Sequence, residues 1–127
     1  MSELVLIVDD DDDIREALAM VLADEGYRAE VAADGILALE HLRTHDAPDL
    51  ILLDLMMPRL DGEEVLAQIR SDPRLARVPV VVLSGDVLAR ERLDRLRAAD
   101  FMLKPVELDH LLAVVQRHVS GPHSAKQ

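Results

Sequence analysis

The chain alternates short apolar runs with segments in which apolar residues recur at helical spacing. A short run rich in branched aliphatic residues is typical of a β-strand, and a continuously apolar run indicates a strand buried on both faces. Five runs therefore predict strands: Leu4–Val8, Arg28–Ala32, Leu50–Leu53, Val78–Leu83 and Phe101–Leu103.

The segments between and after these runs predict amphipathic helices. Ile14, Leu18, Val21 and Leu22 fall at i, i+4, i+7 and i+8, which places them on one face of a helix. Gly26 is expected to end that helix, because glycine commonly terminates helices. Four further apolar stripes predict the later helices: Ile36-Leu39-Leu42, Val65-Leu66-Ile69, Leu93-Leu96 and Leu108-Leu111-Leu112-Val115.

Alternation of strands and helices predicts a parallel sheet with helices on both faces, because βαβ connections are right-handed. The second strand carries Arg28 and Glu30 and the fifth is very short, so we place both at the edges. The predicted fold is α/β, a flavodoxin-like doubly wound (βα)5 domain whose parallel five-stranded sheet has the order 2-1-3-4-5. We expect this domain to occupy residues 1–119 and residues 120–127 to form a flexible tail.

Five consecutive aspartates, Asp9 to Asp13, follow the first strand directly. At the carboxyl end of a strand in an open parallel sheet they would lie in the crevice where ligands bind. Packed carboxylates repel one another unless a cation joins them, and a hard ion such as Mg²⁺ prefers oxygen ligands. An acidic run also suits the start of a helix. We therefore assign Asp9 and Asp10 to a site and the later aspartates to the helix.

Three other strands are predicted to bring polar side chains to the same edge. Asp54 follows the third strand, Ser84 the fourth and Lys104 the fifth. Lys104 is notable because the chain has twelve arginines and two lysines, so a compact ammonium is used where arginine is otherwise preferred. An aspartate or serine after a strand is by itself usually a turn residue or a cap. Four strand ends that bring carboxylates, a hydroxyl and an ammonium to the same edge of the sheet nevertheless predict a functional site there.

Composition narrows the classes of partner. The 127 residues suit one domain, and Tyr27 and Phe101 are its only aromatic residues apart from histidine, so the core must be aliphatic. The net charge of −11 argues against direct nucleic-acid binding, which requires a basic face. The absence of cysteine excludes thiol catalysis. No apolar stretch reaches membrane-spanning length and the N-terminus has no signal-peptide pattern, so we expect a cytoplasmic protein without a membrane partner.

The motifs at the strand ends resemble those of the receiver domain of two-component response regulators, over about Leu4 to Val119. Each motif is weak alone, but their combination after the right strands is highly specific. The motifs are Val8-Asp9-Asp10, Leu53-Asp54-Leu55-Met56-Met57-Pro58 with Asp61-Gly62, Ser84-Gly85 and Lys104-Pro105. The likeness is to stand-alone receivers of the chemotaxis-regulator type.

The resemblance implies that Asp54 accepts a phosphoryl group from a histidine kinase, a phosphotransfer protein or a small phosphodonor, with Mg²⁺ as cofactor. It also implies that Asp10, Asp54 and the Met56 carbonyl bind Mg²⁺, with help from Asp9. Lys104 and Ser84 would take part in the reaction. Ser84 and Phe101 would form the switch pair, and the Lys104–Pro105 peptide would be cis. Phosphoryl transfer depends mainly on positioning and charge neutralisation, which these residue types supply.

The function that follows is a signalling switch in a phosphorelay, catalysing only its own phosphorylation and dephosphorylation and acting on a downstream protein. Alternatives are an Mg²⁺-dependent phosphatase with an aspartyl-phosphate, a flavin carrier on the same fold, or a piece of a hybrid kinase or DNA-binding regulator. The phosphatase would need a second acid–base group beside Asp54, and a flavin phosphate would meet the crevice carboxylates. The oligomeric state is left open.

The sequence departs from the family pattern between Ser84 and Lys104. This stretch is about two residues shorter than is usual, so we expect a short or displaced fourth helix. Arg97-Ala98-Ala99-Asp100 replaces the common Gly-Ala-Asp pattern before the fifth strand. Arg90, Arg92, Arg95 and Arg97 favour a solvated face over a docking surface. His41 and His45, at i and i+4, lack an evident third ligand, so we expect no metal site there.

Overall fold

A computed structural model describes residues 3–57, 60–86, 91 and 97–119. The strands are β1 (Leu4–Val8), β2 (Arg28–Ala32), β3 (Leu50–Asp54), β4 (Val80–Ser84) and β5 (Asp100–Leu103). The helices among the described residues are α1 (Asp12–Asp24), α2 (Gly35–Thr44), α3 (Gly62–Ser71) and α4 (Leu108–Val119). The helix predicted around Leu93 and Leu96 and the tail at 120–127 lie outside the described residues.

The sheet has the predicted order β2-β1-β3-β4-β5, and every pairing is parallel. Asp54 is paired with Leu83, and Ser84 with Leu103, so the carboxyl ends of these strands meet at one edge. The prediction of the α/β fold and of β2 and β5 as edge strands is therefore confirmed.

The fourth strand begins later than its apolar run predicted. The Val78 N–H donates to the Leu75 carbonyl at 3.0 Å, which closes a turn before the strand. Pro79 has no N–H to donate, and its carbonyl accepts from Ile51 at 3.0 Å. The strand therefore starts at Val80 and runs on to Ser84. The prediction missed this start because apolar character alone does not show which backbone groups are already bonded in a turn.

The core is aliphatic and lies in two layers, one on each face of the sheet. Leu6, Val8 and Leu53 belong to the layer under α2 and α3. Ile7 and Leu52 belong to the layer under α1 and α4, because successive side chains of a strand point to opposite faces. Every residue of β1, β3 and β4 is buried, as a doubly covered parallel sheet requires.

The buried face of α2 differs from the predicted stripe. Ile36 is 43% exposed, while Ala38 and Leu42 are buried. The helix is fixed at its start by close packing, because a Cβ on Gly35 would lie 2.6 Å from Val65 Cγ2 and 2.7 Å from the Leu60 carbonyl oxygen. This approach turns Ala38 and Leu42 to the core, so the stripe predicted through Ile36 was wrong at that residue.

The ends of α1 are set by local chemistry. Asp11 is the N-cap and accepts from the N–H groups of Asp13 and Ile14. Gly26 has φ +94°, and its N–H donates to Ala23 at 3.0 Å. The N–H of the next residue, Tyr27, donates to Leu22 at 3.1 Å, which completes a Schellman motif. The predicted assignment of Asp11 to the helix start and of Gly26 to its end is confirmed.

The last helix buries Leu111, Val114 and Val115. Leu108, which the predicted stripe included, is exposed at the first residue of α4. Within the described part of the chain, each helix is too short or too polar to cross a lipid bilayer.

Candidate functional site

The carboxyl edge of the sheet gathers the acidic residues predicted to form a site. One carboxylate oxygen from each of Asp9, Asp10 and Asp54 lies within 4.8 Å of the others. Asp9 and Asp54 are buried and Asp10 is exposed. The juxtaposition follows from the strand order, because β1 and β3 are neighbours at the centre of the sheet.

Lys104 lies between two of these carboxylates. Its Nζ is 3.1 Å from Asp9 Oδ2 and 3.3 Å from Asp54 Oδ1. Burial alone would lower the pKa of Lys104, but the two carboxylates outweigh it and raise the pKa above its ordinary value. The ammonium therefore stays protonated and holds the strand ends of β1, β3 and β5 together. The Lys104–Pro105 peptide that follows is cis, as the resemblance implied.

Among the described carboxylates, Asp54 is the one for which a large shift of the pKa is found. Burial, followed by repulsion from Asp9, raises its pKa from 3.8 to about 6, although Lys104 and the Met56 N–H act in the opposite direction. The Met56 N–H donates to Asp54 Oδ1 at 3.2 Å. Asp54 Oδ1 is thus contacted by both the Lys104 ammonium and the Met56 N–H. With a pKa of about 6, the Asp54 carboxyl is mostly ionised at neutral pH.

The loop after β3 is shaped by a close approach of backbone. The Gly62 N–H donates to the Leu55 carbonyl at 2.9 Å. A Cβ on Gly62 would lie 2.7 Å from the Asp54 carbonyl oxygen and 2.7 Å from Leu55 Cα. Asp61 caps α3 by accepting from the Glu64 N–H at 3.0 Å. The Asp61-Gly62 pair therefore holds the start of α3 against the backbone of Asp54 and Leu55.

Ser84 and Phe101 occupy neighbouring strands at the same side of the site. Ser84 is buried at the end of β4, and its Oγ accepts from the Asp86 N–H at 3.0 Å. The Ser84 carbonyl accepts from the Lys104 N–H at 2.9 Å. Phe101 is half-buried and packs against the core layer under α2 and α3. The structure thus brings the residues of the proposed switch pair onto adjacent strands, and their switching remains a prediction.

The residues fit a hard divalent cation. The donors are carboxylate oxygens, and two of the three acids are buried with only one ammonium between them, so a cation would relieve the repulsion. The backbone of Met56 is adjacent to Asp54 through its N–H, which donates to the Asp54 carboxylate, while the residue as a whole is 70% exposed. Whether the Met56 carbonyl is a ligand remains a prediction.

Sequence reasoning missed Arg15. Its Nη1 donates to the Asp9 carbonyl at 2.9 Å, and its Nη2 pairs with Asp12. The i, i+3 spacing of Asp12 and Arg15 on the first turns of α1 is a sequence signal for their ion pair. The bond from Arg15 to the Asp9 carbonyl has no such signal, because a contact with a backbone carbonyl leaves no pattern in the sequence.

His41 of α2 and His45, the residue that follows the helix, stack on each other. The rings of His41 and His45 are 4.0 Å apart between centroids, and His41 Nε2 lies 2.8 Å from Glu30 Oε1. Among the described residues, the acidic cluster at Asp9, Asp10 and Asp54 is the one group that could hold a metal. Of the predicted arginine-rich face, Arg97 is described, and its carbonyl accepts from Arg70.

Comparison with known proteins points to one family. The model of the response regulator receiver domain matches residues 5–116. The response regulator MprA of Mycobacterium ulcerans is 44% identical over 115 residues, and that of Mycobacterium tuberculosis is 43% identical over 115 residues. Each alignment covers 89% of this chain and 48% or 49% of the relative, so the chain spans about half the length of these relatives.

Solved receiver structures have the same fold. The chemotaxis protein CheY4 of Vibrio cholerae superposes with a TM-score of 0.87 at 29% identity, covering 93% of this chain and 99% of that one. The receiver domain of a sensor histidine kinase from Pseudomonas aeruginosa superposes with a TM-score of 0.86 at 28% identity, covering 95% of this chain and 100% of that one. That structure holds a magnesium ion in its active-site cleft.

Proposed function

The chain belongs to the family of response regulator receiver domains, and from that premise we propose that Asp54 accepts a phosphoryl group in an Mg²⁺-dependent reaction. The donor would be a histidine kinase, a phosphotransfer protein or a small phosphodonor. The observation that carries the proposal is the buried Asp54 carboxylate, 3.3 Å from Lys104 and clustered with Asp9 and Asp10.

Asp54 supplies the nucleophile. Lys104 and the Met56 N–H both contact Oδ1, so Oδ2 is the oxygen that we assign to attack phosphorus. The new bond joins Oδ2 to phosphorus, while the bond from phosphorus to the donor breaks and its electron pair leaves with the donor. The raised pKa of Asp54 means that this oxygen is ionised above pH of about 6.

Lys104, and Mg²⁺ held by the acidic cluster, would neutralise negative charge on the phosphoryl group during transfer. Lys104 can contact a phosphoryl oxygen from its position between Asp9 and Asp54, because it is a compact ammonium with three donors on a flexible stem. Bound Mg²⁺, held by Asp9, Asp10, Asp54 and the Met56 carbonyl, would neutralise the developing negative charge. At Gly85 a Cβ would meet no heavy atom within 4 Å, so space beside Ser84 is open.

The output is a change of surface. In this structure the Ser84 Oγ accepts from the Asp86 N–H at 3.0 Å, so its O–H can be donated to a phosphoryl oxygen on Asp54, which would draw Ser84 towards that group. Movement of Ser84 vacates space that Phe101 can fill. The protein would thus act as a cytoplasmic signalling switch that contacts a downstream protein in a phosphorelay, with no chemistry beyond its own phosphorylation and dephosphorylation.

The test is labelling by acetyl phosphate followed by intact-mass analysis. With Mg²⁺ the wild-type protein should gain a single phosphate, and with EDTA it should gain none. Asp54→Asn should gain none in either case. The matched control is Asp46→Asn, an exposed aspartate that should be labelled as the wild type is. Equal labelling of Asp54→Asn would show that another residue is the acceptor.

A further inference from the structure

Every backbone and carboxylate atom of Asp9 that can form a hydrogen bond is engaged. Its N–H donates to the Ala32 carbonyl at 3.2 Å, and its Oδ1 accepts from the Asp11 N–H at 2.9 Å. Its Oδ2 accepts from Lys104 at 3.1 Å, and its carbonyl accepts from Arg15 Nη1 at 2.9 Å. Arg15 is thus the one side chain in this set that acts on the backbone of the acidic turn.

The Asp9 carbonyl controls the next residue. It shares a planar peptide unit with the N–H of Asp10, so its orientation sets the direction in which Asp10 leaves the strand. Asp10 is exposed, whereas Asp9 and Asp54 are buried, so packing restrains Asp10 least. The bond from Arg15 to the Asp9 carbonyl therefore orients the peptide from which the Asp10 side chain projects.

Arg15 is itself fixed. Its second nitrogen, Nη2, pairs with Asp12 in the first turn of α1, and 17% of its side chain is exposed. One planar guanidinium thus serves a carbonyl and a carboxylate at the same time, which a lysine ammonium on a flexible stem cannot match in geometry. The fork ties the end of β1 to the start of α1.

We propose that Arg15 is a positioning residue for the metal site: by holding the Asp9–Asp10 peptide, it sets the Asp10 carboxylate for an ion that demands strict geometry. The inference rests on the proposed function, in which Asp9, Asp10 and Asp54 hold Mg²⁺. Mg²⁺ requires nearly ideal octahedral coordination, while Ca²⁺ accepts irregular ligand sets. Loss of Arg15 should therefore impair Mg²⁺ binding more than Ca²⁺ binding.

The experiment is calorimetric titration of the full chain with Mg²⁺ and, separately, with Ca²⁺. Arg15→Ala should bind Mg²⁺ about tenfold more weakly, the lower end of the effect of removing a group that orients a ligand, and should bind Ca²⁺ with a smaller loss. Charge alone predicts the opposite sign, because removing a cation near the site would tighten the binding of both ions.

Arg28→Ala is the matched control for charge. Arg28 is exposed and pairs with Leu4 at the opposite end of the sheet, so its loss should leave the ratio of Mg²⁺ to Ca²⁺ affinity unchanged. Arg15→Lys keeps the charge but not the fork, and its ratio should stay impaired. Full recovery by lysine, or an unchanged ratio in Arg15→Ala, would overturn the inference.

Asp12→Asn gives a second variant that leaves Arg15 in place. It releases one arm of the fork from an exposed position, so the protein should fold normally and show a smaller shift of the ratio in the same direction. A shift in the opposite direction would count against the inference. Failure of the wild type to bind Mg²⁺ would contradict the metal site of the proposed function instead, so the two outcomes are distinct.

Discussion

At the scale of the residue, Asp54 has its acidity set by burial. Desolvation, followed by repulsion from Asp9, raises its pKa to about 6, well above the value of 3.8 for an unperturbed aspartate. Such a shift opposes folding once the group ionises, because the unfolded chain ionises it at no cost. The penalty is absent below pH of about 4, grows as pH rises to about 6 and is complete above that.

Asp54→Asn should therefore stabilise the metal-free protein at neutral pH. Asparagine resembles the protonated acid, so the gain in free energy of unfolding should approach about 3 kcal/mol at pH of about 7 and vanish near pH of about 4. Urea unfolding in EDTA across this range measures it. The exposed Asp46→Asn should show no comparable trend, and a gain for Asp54→Asn that does not depend on pH would contradict this account.

At the scale of the element, two loops carry constraints that a side chain can break. The loop from β3 to α3 needs Gly62, because a Cβ there would lie 2.7 Å from the backbone of both Asp54 and Leu55. The segment before β5 places Arg97 at φ +60°, where residues other than glycine are strained. Its carbonyl accepts from Arg70 Nη2 at 2.9 Å, which holds the segment against the end of α3.

Gly62→Ala should destabilise the protein by about 1–3 kcal/mol, the usual cost of overpacking, even though alanine is the better helix former. The atoms that the new methyl group would meet are backbone and cannot rotate away. Gly85→Ala is the control, since its Cβ would meet no heavy atom within 4 Å. Urea unfolding that showed equal effects for the two variants would refute the steric explanation.

Arg97→Gly should stabilise the protein by up to about 1 kcal/mol, because relief of a left-handed residue exceeds the added flexibility of the unfolded chain. Burial lowers the pKa of Arg70 and the Arg97 charge lowers it further, so a charge effect must be separated from strain. Arg97→Ala removes the charge and keeps the strain. If alanine stabilises as much as glycine in thermal melts, strain is not the cause.

At the scale of the whole molecule, the sheet separates two core layers. Phe101 packs against the layer under α2 and α3, whereas Leu22 and Val115 belong to the layer under α1 and α4. Asp54, Ser84 and Lys104 lie at the edge of the sheet above both layers. A displacement of Ser84 and Phe101 should therefore shift residues of the layer under α2 and α3, to which Phe101 belongs. The other layer should respond less, because the closely packed sheet lies between the two.

Beryllofluoride with Mg²⁺, a stable substitute for the phosphoryl group, should shift amide NMR signals at Ser84, Phe101 and α3 beyond the Asp54 loop. Signals of Leu22 and Val115 should move several-fold less. Asp54→Asn in the same mixture provides the baseline. Shifts confined to the loop after β3 would mean that phosphorylation does not reach the Ser84 and Phe101 pair.

The sequence by itself determined the class of fold, the strand order and the residues at the strand ends. Runs such as Leu4–Val8 report burial on both faces, and Asp9, Asp54 and Lys104 are placed by the strands that precede them. Strands and strand ends are local features that a few neighbouring residues reveal, and the order follows from the alternation of strands with helices and from the edge character of β2 and β5. The family motifs then linked the strand ends into one site.

Only the tertiary structure decided the features that depend on residues distant in the sequence. The exposure of Ile36 follows from the packing of Gly35 on Val65, and the raised pKa of Asp54 follows from burial beside Asp9. The bond from Arg15 to the Asp9 carbonyl likewise has no sequence signal. Backbone atoms are the same in every residue, so contacts to them become visible only when the chain is folded.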